Sequence, residues 1–424
     1  MAEKIFTGFG FGPIQGGLFI KEAFQSGNFS RIVVAEIDSK LIDAVRANKG
    51  SYYVNVARAD GIEILKIDNI EILNPNVVSE RKILVDALSQ STEIATALPS
   101  IDSYDTGGTN SVASLIAQGL QASKTDASII YTAENNNQAA EILEGIVSAK
   151  GASGFPCRVQ FLNTVIGKMS RVVRNKSEIV ELGLRTIVPD IDRAFLVEEF
   201  NRILVTRNRI EDFKPGIEVF IEKDDLLPFE EAKLYGHNAI HALLAYLGAL
   251  KGYKKMAELK NDANIFAVAT DAFLNESGRA LVKKYADLND ELFTDAGYKR
   301  YAEDLLQRIT NPYLADTIER AGRDPLRKLA YNDRIFGTMA LALEQGIEPL
   351  NMALGAMAGI AVLPEKLENG TIPVQLCFDQ WHELSDSKIE GIIRWIWGER
   401  VGRYAAEIIK YVQDARKRLA HFVS

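Results

Sequence analysis

Lys4-Ile-Phe-Thr-Gly8-Phe-Gly10-Phe-Gly12-Pro13-Ile-Gln-Gly-Gly17, followed by Arg31-Ile-Val-Val-Ala-Glu36-Ile-Asp38, decides how the first half of this chain folds. Residues 4–10 read as a short strand that runs into glycines. Pro13 suits the first turn of a helix, which runs to about Gly27. The unbroken apolar run from Arg31, closed by acids, fits a strand buried on both faces of a parallel sheet. The alternation continues with a helix over Leu41–Ala47, strands over Thr92–Leu98 and Ser128–Ala133, and a helix over Ser111–Ala122. Such alternation predicts a doubly wound, mostly parallel α/β sheet with right-handed crossovers. From about Asp224 the pattern changes to long amphipathic segments: Phe229–Leu250, Ala263–Tyr285, Gly297–Ile309, Pro325–Gln345 and Lys388–Phe422. These contain few β-branched runs and predict an all-α second domain. Polar residues and Pro215 break the periodicity within Arg207–Asp225, so the expected domains are 1–222 and 223–424.

The glycine loop departs from Gly-x-Gly-x-x-Gly because Pro13 occupies the third glycine's place when counted from Gly8. The physical requirements of a Rossmann-type dinucleotide site can still be met by Gly8, Gly10 and Gly12. They allow a tight turn and close backbone approach, and a helix starting near Pro13 aims its free amides at a pyrophosphate. Taken alone, the loop reads equally well as punctuation. Glu36 strengthens the nucleotide reading: an acid at the end of the second strand accepts from both ribose hydroxyls and repels a 2′-phosphate. Asp38 is the rival for this role. Either acid favours NAD over NADP.

The chain has 424 residues, 47% of them hydrophobic and 25% charged, which is the composition of a soluble globular protein of two domains. Its net charge of −8 and pI near 5.4 argue against nucleic acid or an acidic membrane as partner. Two cysteines, Cys157 and Cys377, are too few for a disulfide framework. No apolar signal core or membrane-length apolar run is visible, so a cytoplasmic protein is expected. The sequence shows no repeat and does not specify an oligomeric state.

Chemistry concentrates in Glu231-Ala-Lys233-Leu-Tyr-Gly-His237-Asn238-Ala-Ile-His241-Ala-Leu-Leu-Ala-Tyr-Leu-Gly248. At about 100° per residue, Lys233 and His241 lie roughly 80° apart on a helix and Asn238 about 60° beyond His241. An amine, an amide and an imidazole thus share one broad sector. Desolvation there lowers a lysine's pKa and makes it a general base near neutral pH. The plainer alternative is a snorkelling Lys, an Asn near a helix end and a core His. His237 and His241 have zinc-ligand spacing, but no acid lies between them and no third ligand is evident, so no metal is expected. Ile129-Ile-Tyr-Thr-Ala-Glu-Asn135-Asn-Asn137 ends a strand in amides at the sheet's carboxyl edge, where ligands bind, although an Asn-rich solvated loop reads the same way. Arg320, Arg323, Arg327 and Lys328 form either a solvated face or an anion site.

Lys233-x4-Asn238-x2-His241, followed by Ala-x2-Ala-Tyr-Leu-Gly, resembles the catalytic helix of the polyol-specific long-chain dehydrogenases. That family contains mannitol dehydrogenases, hexitol-phosphate dehydrogenases and hexuronate reductases. Asn311-Pro-Tyr-Leu-Ala-Asp-Thr-Ile-Glu-Arg-Ala-Gly-Arg-Asp-Pro-Leu-Arg-Lys-Leu329 resembles the hexitol-phosphate members more specifically. The likeness runs in order from the N-terminus to about residue 345. It implies a metal-independent, NAD-dependent enzyme for a polyol or polyol phosphate, in which Lys233 takes the hydroxyl proton. Asn135 and Asn238 would donate to the developing alkoxide, and His241 would orient the same oxygen. The Arg320–Lys328 cations would hold the substrate's anionic group. One stretch departs from the family: Thr164-Val-Ile-Gly167-Lys168-Met-Ser-Arg-Val-Val173 has Gly167 in place of an acid and Lys168 in place of an arginine. That part of the family helps shape the substrate pocket, so Lys168 joins the expected substrate-binding residues. A hexuronate (mannonate or altronate) oxidoreductase and a nucleotide-sensing Rossmann protein without turnover remain the alternatives.

Overall fold

The computed structural model describes residues 4–151, 154–363, 366–367, 370–371, 381–399 and 401–423. Cys377 lies outside them. The chain forms two compact units, Met1–Leu227 and Pro228–Ser424.

Strands β1 (Lys4–Phe9), β2 (Phe29–Ala35), β3 (Tyr52–Ala57) and β4 (Ile62–Ile67) open the first unit. They are followed by β5 (Ile70–Leu73), β6 (Ser91–Thr96), β7 (Ala127–Thr132) and β8 (Arg158–Val165). Last come β9 (Ser170–Val173), β10 (Ala194–Glu198), β11 (Leu204–Thr206) and β12 (Ile221–Lys223). Eight of these build one sheet in the order β12-β11-β8-β7-β6-β1-β2-β5, parallel throughout except between β8 and β11. The mostly parallel Rossmann-type sheet expected from the alternation is therefore present. β1 carries Phe6 into the core on one face and Phe9 into the core on the other, and β2 does the same with Val34 and Val33. Full burial of such side chains contributes about 1.5–3 kcal/mol each, and in β2 burial on both faces leaves the unbroken apolar run Ile32-Val-Val-Ala35. From β1 the chain winds outward to β2 and β5 on one side and returns to β6, β7 and β8 on the other. This reversal beside β1 is the topological switch point, where open α/β sheets bind ligands at their strands' carboxyl ends.

The second sheet of this unit, β4-β3-β10-β9, has no counterpart in the sequence reading. β3 pairs in parallel with β10, about 140 residues later, so no local pattern announces it. Asn55 also disguises β3 as a polar segment. It is fully buried, and its amide is satisfied by the carbonyls of Arg185 (2.8 Å) and Phe195 (2.9 Å) and by the Arg185 N–H (2.8 Å).

The second unit is helical, with one two-residue ladder between Lys366–Leu367 and Gly370–Thr371 among its described residues. Leu227–Leu250 is one continuous helical run whose middle, Ala232–Asn238, is π-helical. Ala263–Lys284 repeats the arrangement, with a π segment at Ala272–Gly278. Asp295–Ile309 and Leu350–Ala361 are ordinary α-helices. Two expected helices are broken. Pro325–Gln345 splits into Pro325–Lys328 and Phe336–Glu344, because the Asp333 carboxylate takes the Arg334 N–H (2.7 Å) and competes with helical hydrogen bonding. Lys388–Phe422 splits into Asp386–Trp397 and Ala405–Val423, with Gly398 at φ 59° just past the first. Among the described residues no helix is long and apolar enough to cross a membrane.

Candidate active site

The π segment sets the geometry of the Lys233 cluster. In an α-helix, Asn238 would stand about 140° around from Lys233. A π turn holds more residues than an α turn, so Asn238 comes closer to the side of the helix that carries Lys233, a little over one turn on. The Ser277 hydroxyl of a neighbouring helix donates to the Tyr235 carbonyl of the widened turn at 2.8 Å, and the Thr338 hydroxyl, which donates to the Arg334 carbonyl, packs 3.1 Å from the same oxygen. The helix then returns to α geometry, and His241 follows Asn238 within the next turn.

Protein atoms crowd the Lys233 amine, although the residue keeps partial exposure. Desolvation lowers its pKa to about 8. The charge of Glu230 opposes that shift and the charge of Arg334 reinforces it. Such an amine is substantially neutral at mildly alkaline pH, as a general base must be. His237 is buried, and desolvation with the charges of Arg308, His241, Lys233 and Arg334 drives its pKa well below the usual value. It is neutral at physiological pH. Among the described residues no group of three or more His, Cys, Asp or Glu side chains is placed to hold a metal ion.

His241 has a partner that the sequence reading did not assign. Its Nε2 lies 3.0 Å from Oδ2 of buried Asp316, whose Oδ1 accepts from Arg320 Nη1 at 2.8 Å. Burial alone would raise the Asp316 pKa. The His241 hydrogen bond and the charges of His241 and Arg320 overcome it and hold the carboxyl far below the usual carboxylate range. Arg334 was missed as well. It is 9% exposed, pairs with Asp333 through Nε at 2.8 Å, and its charge acts on Lys233, His237 and Lys328 together. Both residues were within sight, Asp316 inside the Asn311–Leu329 segment and Arg334 five residues beyond it.

The four cations expected to act together are separated by their environments. Arg320 serves Asp316. Lys328 is buried and donates to the Ala321 carbonyl at 2.6 Å, and desolvation lowers its pKa to about 7 with help from Arg334, Arg327 and Arg323. Arg327 is exposed and pairs with Asp324 at 2.6 Å, while Arg323 is exposed. Lys168, expected to line a substrate pocket, lies in the first unit and is turned inward. A buried ammonium needs acceptors, and it finds the carbonyls of Glu198 and Phe200 (2.6 Å to the latter), which tie the β8–β9 connection to the end of β10.

In the first unit, the loop after β1 corrects the glycine register. Gly8 lies within β1, opposite Val34 and Ala95. A Cβ there would meet the Gln15 amide at 1.8 Å, so Gly8 makes room for that side chain and is no part of the turn. The turn belongs to Gly10, at φ +80°, where a Cβ would collide with the Ala97 carbonyl at 2.8 Å. Helical residues start at Pro13, one past Gly12, and the sequence in register is Gly10-x-Gly12-x-x-Gln15. The Gln15 amide is fully buried beside this turn, and neither of its polar atoms has a hydrogen-bond partner.

Glu36, just past β2, accepts from Phe11 N at 2.8 Å, Ile37 N at 2.7 Å and Asp38 N at 2.9 Å, and so ties the turn to the strand end. Asp38 is committed elsewhere. It caps the Ser39–Ala47 helix through Leu41 N and pairs with Arg193 at 2.7 Å, and the Arg193 hydrogen bond leads in lowering its pKa. Asn135 is exposed past the end of β7. Its neighbour Glu134 is buried and takes hydrogen bonds from Thr96 Oγ1 (2.9 Å), Leu98 N (2.8 Å) and Tyr104 Oη, which anchors the loops at that edge.

Residues 225–391 match the family model described as the mannitol dehydrogenase C-terminal domain. The match covers most of the helical half of the chain. The matched range includes Lys233, Asn238, His241 and Asp316, and the family resemblance of Glu231–Gly248 and Asn311–Leu329 is borne out. Mannitol-1-phosphate 5-dehydrogenases of two strains of Buchnera aphidicola subsp. Acyrthosiphon pisum, Tuc7 and APS, are each 29% identical over 361 residues. Each alignment covers 82% of this chain and 84% of the relative. Among solved structures, the Pseudomonas fluorescens mannitol 2-dehydrogenase ternary complex with NAD and D-mannitol superposes with a TM-score of 0.66 at 18% identity, covering 100% of this chain and 93% of that one. A D-sorbitol dehydrogenase in substrate-free form reaches a TM-score of 0.75 at 16% identity, covering 100% and 94%. At those identities the two structures bear on the fold alone.

Proposed function

We propose that this chain is an NAD-dependent oxidoreductase that interconverts a polyol, a hexitol phosphate such as mannitol 1-phosphate, and its ketose. The observation that carries this reading is Lys233, a crowded amine with its pKa lowered to about 8, set one π turn from Asn238 and followed by His241. In the oxidation direction neutral Lys233 takes the hydroxyl proton, and the Asn238 amide donates to the oxygen as it gains negative charge. Mannitol-1-phosphate 5-dehydrogenases among the relatives support the substrate class.

The first unit has the features a dinucleotide needs. Gly10 makes the turn, the helix begun at Pro13 offers its amides, Glu36 stands at the strand end, and Gln15 keeps an unpaired buried amide beside the turn. When bound there, NAD would supply the hydride acceptor. Asn135, exposed at the same sheet edge, is a donor available to a ligand at that edge. The test is spectrophotometric NADH formation over mannitol, mannitol 1-phosphate, other polyols and mannonate. NADH formed with a polyol or its phosphate supports the reading. Binding of NAD without NADH formation from any of them favours a nucleotide sensor.

Two further results are expected. With Asp38 held by Arg193, Glu36 carries cofactor choice. Glu36→Gln should lower kcat/KM for NAD and raise the NADP/NAD ratio, whereas an unchanged ratio moves the role to Asp38 or to backbone alone. Arg323 and Arg327 are the exposed cations of their group. A charge-assisted hydrogen bond contributes about 1.5–3 kcal/mol, so Arg323→Ala or Arg327→Ala should cost roughly ten- to a hundredfold in kcat/KM on mannitol 1-phosphate. Activity on free mannitol should hardly move. Equal losses on both mean a structural role, and a loss confined to mannonate favours a hexuronate oxidoreductase.

A further inference from the structure

The proton arrangement on His241 follows from its neighbours. An ionised carboxylate only accepts hydrogen bonds, and Asp316 is ionised. Its Oδ1 already receives Arg320 Nη1 at 2.8 Å and the Thr317 N–H at 3.0 Å, leaving Oδ2 to face His241 Nε2 at 3.0 Å. The backbone here is held as firmly as the side chain. The N–H of Met256 donates to the Asp316 carbonyl (2.9 Å), that of Ile318 donates to the Lys254 carbonyl (2.9 Å), and Lys255 bridges to Thr317 in antiparallel fashion. A fixed acceptor opposite Nε2 requires Nε2 to carry the proton, so a neutral His241 has its lone pair on Nδ1.

We propose that Asp316, clamped by Arg320, is a positioning residue that fixes His241 as the Nε2–H tautomer, so that His241 meets a substrate hydroxyl other than the one Lys233 deprotonates as an acceptor through Nδ1. This rests on the polyol reading above and adds to it. His241 then selects for a substrate that carries a further hydroxyl near the reacting carbon. It also gives Arg320 a duty other than anion binding.

Asp316→Asn tests this without changing the size of the side chain. Arg320 and the Thr317 N–H are donors only, so they hold the amide oxygen and turn the amide NH2 toward His241. Nε2 must then become the acceptor, and the proton moves to Nδ1. The full chain, labelled with 15N-histidine, has only four histidines to resolve, and His241→Gln assigns the relevant signals by their loss. At pH 8.5 the wild type should show a protonated Nε2 and an unprotonated Nδ1 on His241, and Asp316→Asn should show the reverse. Polyol oxidation should fall in the variant by up to about 10⁴, the loss seen when a Ser-His-Asp triad is left with the wrong tautomer. The KM for NAD should stay unchanged, as should the rise of rate with pH through about 8 that belongs to Lys233. A wild-type His241 that is protonated on Nδ1 overturns the proposal even if the variant does not fold. A tautomer swap with turnover unchanged also overturns it. The spectra need no turnover. A chain that oxidised no polyol would therefore defeat the proposed function while the spectra still confirmed or refuted the tautomer.

Discussion

Lys233→Ala lowers polyol oxidation at neutral pH by about 10²–10⁴, the range for losing a positioned general base. The fold should survive the change, since alanine is the strongest helix former and Lys233 sits within a continuous helical run. NAD affinity should hold, because the dinucleotide features lie in the other unit. Small primary amines added to the variant should restore part of the rate by supplying the missing base. Lys328 is the control, being the other amine whose pKa is lowered, to about 7. Its Nζ is occupied by the Ala321 carbonyl. Lys328→Ala should therefore reduce stability more than it alters the pH dependence of turnover. Near-normal turnover in Lys233→Ala, or amine rescue of Lys328→Ala instead, would remove Lys233 from the role of base.

Asn238→Ala should cost about 10²–10³ in kcat, as losing one oxyanion donor does elsewhere. The reason is positional. The π turn brings this amide toward the side of the helix that carries Lys233, and in the proposed reaction the group that takes the proton and a group that stabilises the resulting charge act on one oxygen. The charge develops only as the reaction proceeds, so the loss should appear in kcat and kcat/KM together, with KM little changed. Asn238→Asp should be at least as damaging, because it keeps the size but sets a negative charge against a developing negative charge. A raised KM with kcat intact would mean that Asn238 binds substrate without favouring the transition state.

What could be read in the sequence divides along the range of the interactions. β2 was legible because burial on both faces leaves an unbroken apolar run, and β1 because it is a short strand that enters the glycine loop. The helices around Lys233 and Ala263 were legible because 3.6-residue periodicity survives a local π turn. The β3–β10 pairing was not, as it joins residues about 140 positions apart and carries Asn55 at its centre. Nor was the π turn, which follows from packing against Ser277 and Thr338 and leaves no mark in composition. The same limit explains Asp316, whose partner His241 is 75 residues away, and Lys168, whose charge faces inward toward carbonyls. The glycine loop was visible but read two residues out of register. Gln15 stands at the position of the third glycine, and the missing side chain lies across from it, at Gly8.

The pH dependence of kcat/KM for NADH formation from mannitol 1-phosphate tests the Lys233 mechanism most directly. Lys233 must be neutral to accept the hydroxyl proton, so the rate should climb through about pH 8 and level off above it. In the reverse direction the same amine must be protonated to donate, so ketose reduction should fall through the same pH. Opposite slopes sharing one inflection near 8, both abolished in Lys233→Ala, are the predicted result. A profile that is flat from pH 6.5 to 9.5, or an inflection that persists in Lys233→Ala, would contradict it.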